Sequence, residues 1–225
     1  LLTYNKRGPR TKIQRKRIPD MKKRISLLLA LLLLVSALTP AALAADDPAT
    51  PETTAAPETI PATPEQIAAE ALSTLGIFRG TGSGFALDRA PTRPEAAAML
   101  VRLYGAENEA QTAFLNQDIN HPFTDVSGWF EPYVAWLYAN ALTLGVSKNT
   151  FGANRSCSAQ NYVVFLLRAL GYVDGEDFTY ADALDFAADR GVYLDGLFSG
   201  DFTRGDLALM TWFALFCKCK DGSAT

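Results

Sequence analysis

Apolar side chains recur three and four positions apart through the second half of this chain. Ala97, Leu100, Val101 and Tyr104 fall on one helical face, as do Val163, Leu166, Leu167 and Leu170, and Gly105 and Gly171 close the two runs as C-terminal stops. The starts are equally legible. Thr92 with Glu95 three residues later is a capping box, Thr203 with Asp206 ahead of Leu207 to Phe216 is a close variant, and Ser158 supplies the cap hydroxyl without the acid. The pattern predicts further helices over Pro64 to Leu75, Glu131 to Leu142 and Tyr180 to Arg190, with a short one around Asn108 to Asn116. Trp136, Leu137, Leu184 and Phe186 are the large apolar groups these would bury. The expected fold is all-α, with Gly- and aromatic-rich loops carrying a bridge or two of strand.

The helices belong to a repeat. Thr92 to Gly105 aligns with Ser158 to Gly171 without a gap, and each stretch follows a glycine-bearing loop: Gly76, Gly80 and Gly84-Phe85 in the first, Gly145 and Phe151 in the second. A third copy runs from Gly191-Val192 through Thr203-Arg204-Gly205-Asp206 to Phe216. The reading is three helix-loop-helix units, about 64–105, 122–171 and 178–217. None is large enough to close a core alone, so they bury their apolar faces against one another.

The beginning of the chain is of another kind. Met21-Lys22-Lys23-Arg24, the apolar run from Ile25 to Leu38 and the small residues of Ala42-Leu43-Ala44 read as an export signal over residues 21–44. That apolar run is shorter than a membrane-spanning helix requires. Residues 1–20, with seven Lys or Arg, read as upstream sequence outside the fold. Residues 45–63 are rich in Pro, Thr and Ala and read as a disordered spacer. Residues 1–44 hold ten of the 21 basic and one of the 24 acidic groups, leaving 11 basic and 23 acidic, a formal net of about −12. Such a charge disfavours nucleic acid and anionic membrane surfaces.

Little in the chain points to catalysis or metal. Cys217-Lys218-Cys219 is too closely spaced for the usual zinc pair, and His121 is the only imidazole, so no metal and no cofactor is expected. For Cys157, Cys217 and Cys219, free thiols and a bridge from Cys157 to the Cys217 region both stay open. Gly80, Gly82 and Gly84 are not followed by the Lys-Ser/Thr of a nucleotide loop. The acidic cluster Asp174, Glu176 and Asp177 reads as a solvated turn rather than the facing carboxylates of a glycosidase.

Phe123-Thr124-Asp125-Val126 with Trp129 and Tyr133, the loop glycines Gly76, Gly80 and Gly84, and the restarts Thr92-Arg93-Pro94-Glu95 and Thr203-Arg204-Gly205-Asp206 together resemble a tandem of S-layer homology domains. The resemblance covers roughly residues 63–217. It implies a pseudo-threefold, three-pronged helical bundle on a secreted, cell-surface protein held non-covalently by secondary cell-wall polysaccharide, including pyruvylated forms. The implied ligand-binding residues are Arg93, Thr92, Glu95, Gly80, Asp125, Trp129, Arg204 and Thr203. The chain departs from the family pattern in three places: the first unit has no Phe-x-Asp-Val opening, Ala159 stands where the family has Arg, and the third unit has Tyr180 near the Asp position and no Trp.

Arg93 and Arg204 follow directly on their caps, at the positive end of a helix, where a cation is disfavoured. Either a neighbouring carboxylate such as Asp88 or Asp125 offsets this, or an acidic ligand does. In the first case Arg93 is structural and its loss harms the fold; in the second its loss harms binding and leaves stability nearly unchanged. Two further readings remain: a protein-interaction module of the same fold without glycan affinity, and the N-terminal part of a longer surface enzyme.

Overall fold

A computed structural model describes residues 62–194 and 200–223. The export signal, most of the spacer and part of the third loop lie outside these residues.

Seven helices account for the described chain: α1 (Pro64–Thr74), α2 (Arg93–Leu103), α3 (Glu107–Leu115), α4 (Glu131–Ala139), α5 (Ala159–Ala169), α6 (Ala183–Ala188) and α7 (Arg204–Ala214). The class is all-α, and its extended pairing consists of isolated bridges, among them Thr92 with Ser156 and Ser147 with Thr150. The helices α2, α5 and α7 are each 11 residues long and begin alike: an extended Thr92, Ser158 or Thr203 accepts the N–H of Glu95, Asn161 or Asp206 through its side-chain oxygen. At Thr92 and Thr203 the acid returns the bond to the cap backbone, completing the box.

Two helices are shorter than their apolar pattern suggests. The fourth stops at Ala139 because Asn140 caps it and Ala141 turns to φ 57, from which the next residue, Leu142, bonds back to Leu137. The sixth starts at Ala183 rather than Tyr180 because the Asp182 carboxylate accepts the Thr179 N–H and holds a turn there.

The three similar helices meet at the centre, where the Tyr162 hydroxyl lies 2.6 Å from Thr211 Oγ1 and Thr211 lies 3.9 Å from Met99 Sδ. Around them α4 packs on α2 and α3, α6 packs on α5, and α1 packs on α7, so the first described helix docks on the last. That final contact is close: a Cβ at Gly205 would sit 3.0 Å from Glu65 Cβ. Leu72, Leu100, Leu137, Leu166, Leu167, Leu207 and Met210 are fully buried between these elements. Cys157 and Cys219 are free thiols, and burial pushes the Cys157 thiol up to about 12, which leaves it unreactive near neutral pH.

Because Leu167 has no exposed surface and its helix touches three others, Leu167→Ala should cost about 2–5 kcal/mol. Thermal melting followed by circular dichroism should show one cooperative transition at a lower temperature. Several separate transitions would mean that the helices form independent bodies.

Candidate functional site: two arginines in neighbouring loops

Arg93 and Arg204 are each only 4% exposed, and each leaves its own helix to lie in a loop distant in sequence. Arg93 Nε donates to the Phe151 carbonyl at 2.9 Å and Nη1 to Asn161 Oδ1 at 3.1 Å. Its guanidinium stacks 5.0 Å from the Phe151 ring and 5.2 Å from that of Phe165. Arg204 repeats the geometry in the earlier loop, with Nε to Phe85 O at 2.9 Å and the guanidinium 4.7 Å from the Phe78 ring. The backbone is held in the same way: Arg93 N donates to Arg155 O and Arg204 N to Arg89 O. Gly152 keeps the Arg93 bed open, since a Cβ there would meet the Arg93 side chain at 3.2 Å and its φ is +87°.

The two differ in how their charge is met. Arg204 uses all three nitrogens, with Nη1 on Glu95 Oε1 at 2.8 Å and Nη2 on Arg79 O at 2.9 Å. Glu95 also takes a bidentate pair from Arg89. Burial alone would raise the Glu95 carboxyl, but hydrogen bonds from Arg89 and the Thr92 backbone, with the charges of Arg204 and Arg89, hold it below its ordinary value. Arg93 has no carboxylate within ion-pair distance among the described residues; the position matching Glu95 is Asn161, which is neutral. Neither Asp88 nor Asp125 pairs with it. Its Nη2 has no hydrogen-bond acceptor among the described residues, and because no buried side-chain nitrogen there is left unsatisfied, this atom keeps contact with solvent. Burial lowers the Arg93 pKa, and Arg155 and Arg168 push the same way, yet a guanidinium stays charged at neutral pH.

Asp125 reaches the same loop from the other side. Its carboxylate accepts the N–H groups of Phe151 at 2.7 Å, Gly152 at 2.7 Å and Ala153 at 2.9 Å. Burial would raise this carboxyl, but these three donors outweigh it and hold it low. Phe151 therefore joins Arg93, through its carbonyl, to Asp125, through its N–H. Trp129 stands 59% exposed, edge-on to Phe130 and Tyr133. The remaining residues singled out from sequence gather at the other arginine: Thr203 caps its helix, Thr92 and Glu95 form the box that meets it, and Gly80 follows the carbonyl that receives Nη2. Gly80 permits a turn in which a Cβ would lie 2.9 Å from Gly84 O. Sequence reasoning passed over Asn161, Phe165 and Gly152, although the constant offset of 66 residues that pairs Glu95 with Asn161 carries the first of them.

Residues 122–158 match the model of the S-layer homology domain. This chain carries an S-layer homology domain. The matched stretch runs from the residues just before Asp125 through α4 and the Arg93-receiving loop to Ser158. The chain is 32% identical over 155 residues to a surface layer protein of Brevibacillus choshinensis, covering 68% of this chain and 13% of that protein. It is 31% identical over 104 residues to a middle cell wall protein of Brevibacillus brevis, covering 45% and 10%. It is also 31% identical over 145 residues to a cell surface protein of Thermoanaerobacter kivui, covering 62% and 18%. The S-layer homology chain thus spans less than a fifth of each of these relatives. No helix among its described residues is long and apolar enough to cross a membrane.

The lowered Glu95 pKa sets an acid dependence. A carboxyl depressed in the folded state contributes stability that is fully present above its unfolded pKa and is lost as pH falls through the folded value. Stability should therefore decline below the ordinary carboxylate range of about 4, and Glu95→Gln should be less stable at pH 7 with a flatter decline in acid. Urea unfolding at several pH values checks this; parallel curves for the two proteins would mean that the Glu95 cluster contributes nothing.

Proposed function

We propose that this chain holds a secreted protein on the bacterial cell wall by binding anionic secondary cell-wall polysaccharide, and that the Arg93 cleft is where a carboxylate of that polymer, such as a pyruvate ketal, is met. The observation that carries the reading is the contrast between the arginines: Arg204 is neutralised by Glu95, whereas Arg93 keeps a buried charge and an open Nη2 edge. An uncompensated buried cation is costly, and an incoming carboxylate relieves that cost with charge-assisted hydrogen bonds. The exposed face of Trp129 offers a platform for the apolar side of a sugar ring. Membership of the family and the wall and surface relatives support the same role, which is anchoring rather than catalysis. The three-unit bundle of residues 64–225 is part of this proposal, with α1 closing it on α7.

Binding to purified native walls should be strong for residues 45–225 and lost once the polysaccharide is removed chemically. Arg93 also packs on two aromatic rings and satisfies Phe151 O, so Arg93→Ala is expected to weaken the fold and is a poor probe of binding. Trp129→Ala is exposed and should leave the melting temperature unchanged while reducing wall binding. Arg93→Lys keeps the charge but not the fork and should weaken binding by about 1.5–3 kcal/mol. Binding that persists on stripped walls would favour the alternative of a protein-interaction module, for which the exposed Trp129, Tyr138, Leu144 and Val146 are available.

A further inference from the structure

The loops that receive Arg93 and Arg204 are copies of each other. At an offset of 66 residues Phe85 matches Phe151, Ala86 matches Gly152, and Leu87 matches Ala153. Both second positions have positive φ, 48° at Ala86 and 87° at Gly152. In both loops the carbonyl of the first position takes an arginine Nε at 2.9 Å. In both, the carbonyl of the second accepts the N–H three residues on, from Arg155 at 3.0 Å and from Arg89 at 3.5 Å. The loops differ in what their N–H groups meet. Those of Phe151, Gly152 and Ala153 converge on the Asp125 carboxylate, whereas those of Phe85, Ala86 and Leu87 have no acceptor among the described residues.

Three successive backbone N–H groups around a left-handed residue form a concave anion site, and the occupied copy at Phe151 to Ala153 demonstrates the chemistry within the same chain. Ala86 pays a conformational cost to hold that shape, since a side-chain-bearing residue disfavours positive φ. Three arginines stand close, Arg204 on the Phe85 carbonyl and Arg79 and Arg89 nearby in sequence, with Glu95 pairing Arg204 and Arg89 and Glu107 pairing Arg79. We infer that the Phe85–Ala86–Leu87 loop is a second carboxylate-binding site, built like the Asp125 site but left for an acid that the first repeat does not supply at the matching place. The acid has two sources. One is a carboxylate from outside the chain. The other is Glu58, which precedes α1 by six residues as Asp125 precedes α4. The inference does not depend on wall binding, because a simple carboxylate reads the site directly.

The test is amide NMR of residues 45–225 titrated with sodium acetate against sodium chloride at equal ionic strength, on the native sequence and on a double variant in which Glu58→Gln is joined by Glu52→Gln, the other glutamate of residues 45–63. Saturable downfield shifts of the Phe85, Ala86 and Leu87 amides in the native sequence, with those of Phe151, Gly152 and Ala153 unmoved, would establish a site for an external acid. Shifts that appear only in the double variant would establish the same site occupied by the chain's own glutamate. Asp125→Ala should make the second loop respond as well, which calibrates the size of the signal. Amides of Phe85 to Leu87 that stay unmoved in both proteins, or that drift without saturating, would overturn the inference.

Discussion

The insertion of a guanidinium from the first turn of one helix into a loop built by another part of the chain is the interaction on which this architecture rests. Arg93 reaches a loop near residue 151 and Arg204 one near residue 85. A cation at a helix N-terminus is electrostatically misplaced with respect to its own helix. It is held there because aromatic faces, a carbonyl and a first-turn side chain of another helix receive it, and because a carbonyl of the same loop, Arg155 O or Arg89 O, accepts the arginine's backbone N–H. Loop conformation, helix start and the contact between helices distant in sequence are therefore one arrangement, and the docking of α1 on α7 brings Arg204 to the loop near residue 85.

The N3 position of the receiving helix decides what each arginine becomes. With glutamate there, as at Glu95, the charge is cancelled internally and the junction is structural. With asparagine, as at Asn161, the hydrogen bond is kept but the charge is not met. Residues 45–225 are strongly acidic by composition, yet Arg93 is a buried positive charge with no carboxylate partner among the described residues, and it lies beside the loop that Asp125 fixes from behind. Asp125 commits its carboxylate to three backbone donors, so its contribution to any ligand is the rigidity of the Phe151 loop. In the proposed binding mode the exposed Trp129 on the same stretch supplies the surface that the carboxylate lacks.

Much of this could be read from the chain itself. The caps at Thr92, Ser158 and Thr203 fixed three helix starts because a hydroxyl followed by an acceptor three residues later satisfies the first-turn N–H groups in only one way. The apolar spacing of Val163, Leu166, Leu167 and Leu170 identified a buried face. Neither signal says which neighbour a side chain will meet. Periodicity gives a direction on one helix, whereas the partners of Arg93 and Arg204 lie 58 and 119 residues away in the chain. Of the two readings of Arg93, the one in which its loss leaves stability nearly unchanged does not anticipate its burial between Phe151 and Phe165, which only the tertiary packing determines. The turn at Thr179 to Asp182 was hidden for a related reason: a local side-chain bond shortened a helix that the apolar pattern extends.

Arg93 is proposed to bind because its charge is unmet, and Asn161→Asp tests this most directly. The substitution leaves the acceptor of Arg93 in place, places a carboxylate where Glu95 stands for Arg204, and recreates the acid of a capping box with Ser158. Wall-glycan affinity measured by calorimetry beside a thermal melt should show weakened binding together with an unchanged or higher melting temperature. Undiminished affinity in a folded Asn161→Asp protein would contradict the account, because the glycan would then be indifferent to the one charge on which the site is argued.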